Sequence, residues 1–210
     1  MSPTPDTASS LDASALTPKA GDALVVVDVQ YDFLPGGALG VPDGNAVLPA
    51  LNGYIRRFAT AGLPIFFSRD WHPSNHCSFH EQGGPWPPHC VSGSEGAAFA
   101  DGLHVPEDVI VISKATAAHA DAYSAFQGTI LADRLRDLGC RRLFVGGLAT
   151  DYCVLATVRD AVHEGFAVVV LCDAIRAVNL NPGDGQRAED EMRRAGAALA
   201  TTGSLRGSTT

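Results

Sequence analysis

The chain is poor in basic residues. Lys and Arg total 15 of 210, against 23 Asp and Glu, for a formal net charge of −8. That balance excludes the phosphate-neutralising surface that a nucleic-acid or anionic-membrane partner requires. No apolar run approaches the roughly 18 residues that cross a bilayer. No C-x-x-C pair occurs among Cys77, Cys90, Cys140, Cys153 and Cys172. Their odd number argues against a disulfide framework and for a reduced, cytoplasmic setting. The first 20 residues, MSPTPDTASSLDASALTPKA, lack both a basic start and an apolar h-region, so they are not a secretory signal. They read as a disordered leader over 1–20. A G-x-G-x-x-G fingerprint is also missing, which weakens a dinucleotide-binding or flavodoxin-like reading, and no internal repeat is visible.

What is there is enough apolar residue, 46% of the chain, for a sizeable core. The length fits one domain, placed at 21–203, with a flexible tail at 204–210. The run ALVVVDV at 23–29 is β-branched and continuous, as in a strand buried on both faces of a parallel sheet. Further strands are expected at 63–68, 108–113, 142–146, 166–172 and 197–201. Helical periodicity marks 45–61, 127–138, 154–163 and 182–195, several of them closed by glycine. Between the second and third strands, about 70–107 is rich in Pro and Gly with little periodicity, and ordered excursions of that length are usually functional. Strands alternating with helices predict an α/β fold with a mainly parallel sheet of six strands.

In such a sheet, sites form beyond the carboxyl ends of the strands. Asp28, the pair Asp70-x-His72, Lys114 and Cys153 all fall at those ends. Cys153 stands where the strand LFV hands over to a helix. There the helix dipole lowers a thiol pKa, which favours a nucleophilic thiolate. Most free cysteines are instead small buried hydrophobes. A carboxylate at Asp28 is costly unless paired or working, and a pair with Lys114 would account for both residues. Asp70 and His72, two apart in an extended segment, face one way and can share a metal. Two ligands hold a metal poorly, and His89 and His76 are the candidates for a third.

Six motifs then stand in order: DVQYDFLPGGALGV from Asp28, RDWHPSNHCSF around Asp70, WPPHCVSGSEGAAF from Trp86, SKAT around Lys114, DAYSAF from Asp121 and GGLATDYCV up to Val154. With them the chain resembles the cysteine-dependent nicotinamidase/pyrazinamidase branch of the isochorismatase-like hydrolases, from Ala23 to about Thr201. The resemblance implies a three-layer α/β/α fold. It implies a catalytic triad at Asp28, Lys114 and Cys153, and an oxyanion hole from the N–H groups of Ala149 and Cys153. A cis peptide is implied before Ala149 or before Thr150, with the former favoured. One divalent metal would sit on Asp70, His72 and His89; Zn²⁺ suits these ligands, and Mn²⁺ or Fe²⁺ also fit. His76 would be an outer neighbour or a substitute ligand, and Cys90 a weaker rival to His89. Phe33, Leu39, Trp86 and Tyr123 would contact the substrate ring. The implied activity is hydrolysis of nicotinamide to nicotinate and ammonia through a thioester, in NAD salvage. Whether pyrazinamide is accepted, and whether the chain forms a homo-oligomer, stay open. The alternatives are hydrolysis of another small amide or ureido compound, and a non-enzymatic binder of small ligands.

Overall fold

The computed structural model describes residues 17–201. The leader expected at 1–20 falls outside the described residues except for 17–20, and the tail expected at 204–210 falls wholly outside them. Strand β1, Asp22–Val27, is buried at every position. Its side chains alternate between two cores. Leu24 and Val26 face a cluster with Leu51, Tyr54, Ile55 and Phe58 of helix α1, Leu48–Thr60. Ala23, Val25 and Val27 face a second cluster. That one holds Leu131 and Leu135 of α2 (Leu131–Asp137), Val158 and Ala161 of α3 (Leu155–His163) and Met192 of α4 (Asp184–Arg194). A strand sandwiched between two helical layers has no solvent face, which is why its sequence shows no polar alternation.

The remaining strands are β2 (Ile65–Asp70), β3 (Ile110–Lys114), β4 (Arg142–Leu148), β5 (Ala167–Arg176) and β6 (Ala198–Ala200). Their order is β3-β2-β1-β4-β5-β6, and every pairing is parallel. The fold is therefore the expected three-layer α/β type. At the amino end of the sheet, Arg142 clamps the buried Asp22 with Nε at 2.9 Å and Nη2 at 2.6 Å. No helix among the described residues is long and apolar enough to cross a membrane.

Element bounds differ from expectation where turn chemistry or pairing decides them. β2 runs two residues past 68, because Asp70 pairs in register with Lys114 of β3. α2 is shorter than 127–138: Gly128 takes a left-handed φ of 68°, and the Thr129 hydroxyl, rather than a helical backbone, receives the Leu131 N–H. β5 extends to Arg176 by re-pairing with β4 beyond a register shift between Val145 and Gly147. Gly147 is required at that bulge. Its φ is +125°, and a Cβ there would lie 2.0 Å from the Val27 carbonyl oxygen. The chain then passes through a cis Leu148–Ala149 bond, the more favoured of the two expected positions. The helix expected over 154–163 is preceded by a π-helical turn at Thr150–Val154, which holds Cys153.

Candidate active site

Four strands deliver one charged or nucleophilic group each to the carboxyl edge of the sheet. Asp28 follows β1, Asp70 ends β2, Lys114 ends β3 and Cys153 lies in the turn after β4. Asp28, Lys114 and Cys153 are all buried. The Lys114 ammonium joins them. Its Nζ is 3.0 Å from Asp28 Oδ2, hydrogen-bonds Asp70 Oδ1, donates to the Ala122 carbonyl at 3.0 Å and lies 3.6 Å from Cys153 Sγ. The Ser68 hydroxyl donates to Asp28 Oδ1 at 2.6 Å. Asp28 Oδ2 makes no hydrogen bond besides its ion pair, so it is the oxygen free to accept a proton. Asp28 also carries a φ of 48°, a left-handed conformation that a non-glycine residue adopts at a cost and that recurs at working sites.

Burial dominates the protonation of this group. It raises the Asp28 carboxyl above its ordinary 3.8, with the Lys114 charge opposing and Asp70 adding to the rise. Burial also pushes the Cys153 thiol well above its usual range; Lys114 opposes this, but the Asp28 and Asp70 carboxylates reinforce it. The lowered thiol pKa expected from the helix start is thus overturned. Cys153 sits inside a π-helical turn, 6% exposed and facing two carboxylates, and these outweigh the dipole. For Lys114, burial favours the neutral amine, but Asp28 and Asp70 prevail and keep it charged. Asp70, despite burial, is held well below the ordinary carboxylate range by Lys114 and His72.

Beside this group lies a second one. Ligand atoms of Asp70, His72 and His89 fall within 4.8 Å of one another, all three residues buried. His72 Nδ1 is 3.2 Å from the Ala115 carbonyl, and His89 Nδ1 is 2.8 Å from the Pro87 carbonyl. Each bond uses the proton on Nδ1 and leaves Nε2 as a lone-pair donor. His72 Nε2 is buried and has no hydrogen-bond partner, an orphan that a metal would satisfy. Burial lowers the His89 pKa, which keeps its imidazole neutral and able to ligate. The donor set of one carboxylate and two imidazoles fits a divalent ion with open positions. His76 stands next to the cluster, stacked on His72 with ring centroids 4.2 Å apart. Its own nitrogens are engaged by the Ser78 hydroxyl at 2.7 Å and the Ala120 carbonyl at 3.1 Å. The Cys90 thiol is not among the clustered donors; its backbone N–H donates to Asp32 at 2.7 Å instead.

A cavity of about 310 Å³ opens onto both groups. Phe33, Leu39, Trp86 and Tyr123, the expected ring contacts, all line it, together with Asp70, His89, Ala149 and Cys153. Trp86 Nε1 donates to the Tyr123 hydroxyl at 3.0 Å, so two of these rings are fixed against each other. The larger open groove along α1, near Arg56 and Arg57, contains neither the triad nor the histidines.

Sequence reasoning missed several residues here. Tyr152 lines the cavity and meets Trp86 edge-on with centroids 5.6 Å apart. Phe79, buried beneath the imidazoles, contacts His72, His76 and His89 edge-on. Gln30 binds the backbone of Asp70 on both sides, donating to its carbonyl at 2.8 Å and accepting its N–H at 2.8 Å. Gln30 also donates to the Ala97 carbonyl at 2.9 Å. Asp32 receives the Cys90 N–H and packs where Gly96 leaves room; a Cβ on Gly96 would lie 2.2 Å from its carboxylate. A Gln two residues after Asp28 and an Asp four after it were visible signals, since buried polar side chains need partners.

The chain matches the Isochorismatase domain over residues 22–204, and it belongs to that family. Among its relatives, the nicotinamidase of Escherichia coli (strain K12) is 42% identical over 200 residues, covering 85% of this chain and 94% of the relative. The pyrazinamidase of Pyrococcus horikoshii, solved in complex with zinc, superposes with a TM-score of 0.83 at 49% identity, covering 86% and 99% of the two chains. An L. infantum protein solved with nicotinate gives 0.81 at 41% identity, covering 88% and 94%.

Proposed function

We propose that this chain hydrolyses the carboxamide of nicotinamide to nicotinate and ammonia, with Cys153 as nucleophile, in salvage of the pyridine ring for NAD. The observation that carries the reading is one buried ammonium, Lys114, touching Asp28, Asp70 and Cys153, the last two of which line an aromatic-walled cavity. The E. coli, P. horikoshii and L. infantum relatives support the substrate class.

The resting thiol is neutral, so its proton must leave as the sulfur attacks. Asp28 Oδ2, the carboxylate oxygen without a hydrogen bond, is the acceptor. The transfer moves one negative charge from Asp28 to sulfur. Lys114 lies beside both, so its stabilisation is kept throughout and little reorganisation is needed. The sulfur–carbon bond forms and the carbonyl oxygen takes the negative charge. The N–H groups of Ala149 and Cys153 are assigned to that oxygen, and removing one such donor typically costs about 100- to 1,000-fold in rate. Asp28 returns its proton to the amide nitrogen, the C–N bond breaks and ammonia leaves a thioester. Water then adds to the thioester with Asp28 again holding its proton, and nicotinate departs as the thiol re-forms.

Asp70, His72 and His89 are assigned to a divalent metal, with Zn²⁺ the best match to the donors and Mn²⁺ or Fe²⁺ compatible with them. Bound there, the ion would supply an acceptor site for a neutral nitrogen or oxygen donor, such as a pyridine ring nitrogen. Phe33, Trp86 and Tyr123 surround a ring without reading one CH-to-N change, so benzamide tests that assignment. It should be a very poor substrate, by about 10⁴-fold in kcat/KM.

The deciding experiment is ammonia release from nicotinamide by purified wild type and Cys153→Ala. Release by the wild type and none by the variant is expected. Equal release by both would remove the thiol from the mechanism, and no release by the wild type would remove the substrate.

A further inference from the structure

The loop joining β5 to α4 borders the cavity with two apolar side chains, Val178 and Leu180. Leu180 is 65% exposed, so burial in the core does not hold it in place. The loop is fixed through its backbone instead. Asp151 accepts two consecutive N–H groups, Val178 at 2.9 Å on Oδ1 and Asn179 at 2.8 Å on Oδ2. Asn179 adopts a left-handed φ of 54°, and its Oδ1 accepts the Gly185 N–H at 2.8 Å. A Cβ on Gly185 would lie 2.6 Å from that of Ala177, so loop and helix start are in close contact. The Asn181 N–H donates to Asp184 Oδ2 at 2.7 Å.

Asp151 belongs to the same π-helical turn as Cys153. Both its oxygens are committed to the loop, which leaves it no role as a base. One carboxylate thus ties the turn that carries the nucleophile to the segment that carries Val178 and Leu180. We propose that Asp151 is a positioning residue for substrate binding: it holds Val178 and Leu180 as the outer wall of the cavity and so sets which ring carboxamides are admitted, and how tightly. The proposal rests on the nicotinamide reading for its substrate class. Its physical basis is the paired acceptor. Two hydrogen bonds to one carboxylate hold the loop against the turn, and Asp151→Asn would turn one acceptor into an NH₂ facing an N–H.

The test compares wild type, Asp151→Asn and Leu180→Ala. Steady-state kinetics are measured with nicotinamide and with 5-methylnicotinamide, and amide hydrogen exchange is followed at Val178 and Asn179. Leu180 is exposed, so its truncation leaves the fold intact. Both variants should raise KM for nicotinamide by about tenfold, the loss of one charge-assisted hydrogen bond or of one apolar wall. The kcat of each should stay within about twofold of wild type, as for an interaction made equally in ground and transition states. Both should narrow the preference for nicotinamide over its methylated analogue. Exchange at Val178 and Asn179 should quicken in Asp151→Asn. A fall in kcat with KM unchanged in Asp151→Asn, or an unaltered KM and preference in Leu180→Ala, would overturn the proposal. A wild type that releases no ammonia from nicotinamide would sink the substrate reading instead. The exchange measurement needs no substrate, and unchanged protection at the two amides in Asp151→Asn then overturns the role of Asp151 by itself.

Discussion

Cys153 and Asp28 share one proton problem. Both are buried, and burial penalises the charged form of each. If Asp28 takes the thiol proton, it must start unprotonated, so activity is lost as pH falls through its pKa. That pKa is raised, so the acid limb of kcat/KM should lie above 3.8, the ordinary aspartate value. A limb at or below it would mean that another group is the base. The raised thiol makes a separate prediction: alkylation of Cys153 by iodoacetamide should be slow at neutral pH and quicken only in the alkaline range. Cys153→Ala should abolish hydrolysis while leaving metal content unchanged. Cys140→Ala and Cys172→Ala should retain activity, because neither residue lines the cavity.

At the scale of elements, the register of β2 against β3 places Asp70 beside Lys114. The excursion after β2 then returns to bring His89 to His72. Its backbone is tied down by Gln30 and Asp32, both on the loop after β1. The metal assignment therefore depends on two loops meeting. Native mass spectrometry should find about one divalent ion per chain, lost in His72→Ala; an unchanged metal content in that variant would move the site elsewhere. The bulge in β4 makes a prediction of its own. Gly147→Ala places a Cβ against the Val27 carbonyl at a φ reserved for glycine. It should cost at least about 2–3 kcal/mol, read as a lower urea midpoint.

Across the whole molecule, much is legible in the sequence. The β-branched run of β1 disclosed a strand between two layers, and the strand-end positions of Asp28, Asp70, Lys114 and Cys153 disclosed a common edge. The rest was hidden for physical reasons. A thiol pKa depends on how deeply the turn is buried, and sequence position reveals only that a helix begins. The choice between His76 and His89 hinges on which imidazole nitrogens are already hydrogen-bonded, a matter of tertiary contacts. Gln30 and Asp151 work through backbone groups 40 and 27 residues away along the chain, so the sequence shows a polar side chain in need of a partner and not which backbone supplies it.

Lys114 is one of just two lysines in the chain, and it is wholly buried, while Lys19 lies exposed ahead of β1. Lysine-directed reagents therefore meet a single accessible lysine side chain, at the amino-terminal end of β1 and away from the edge that holds Asp28, Lys114 and Cys153. An active ester should tether the folded protein to a bead or a dye through Lys19 and leave turnover intact. The same reagent should reach Lys114 only after unfolding, which makes acylation at Lys114 itself, read by peptide mapping, a chemical clock for loss of the native state.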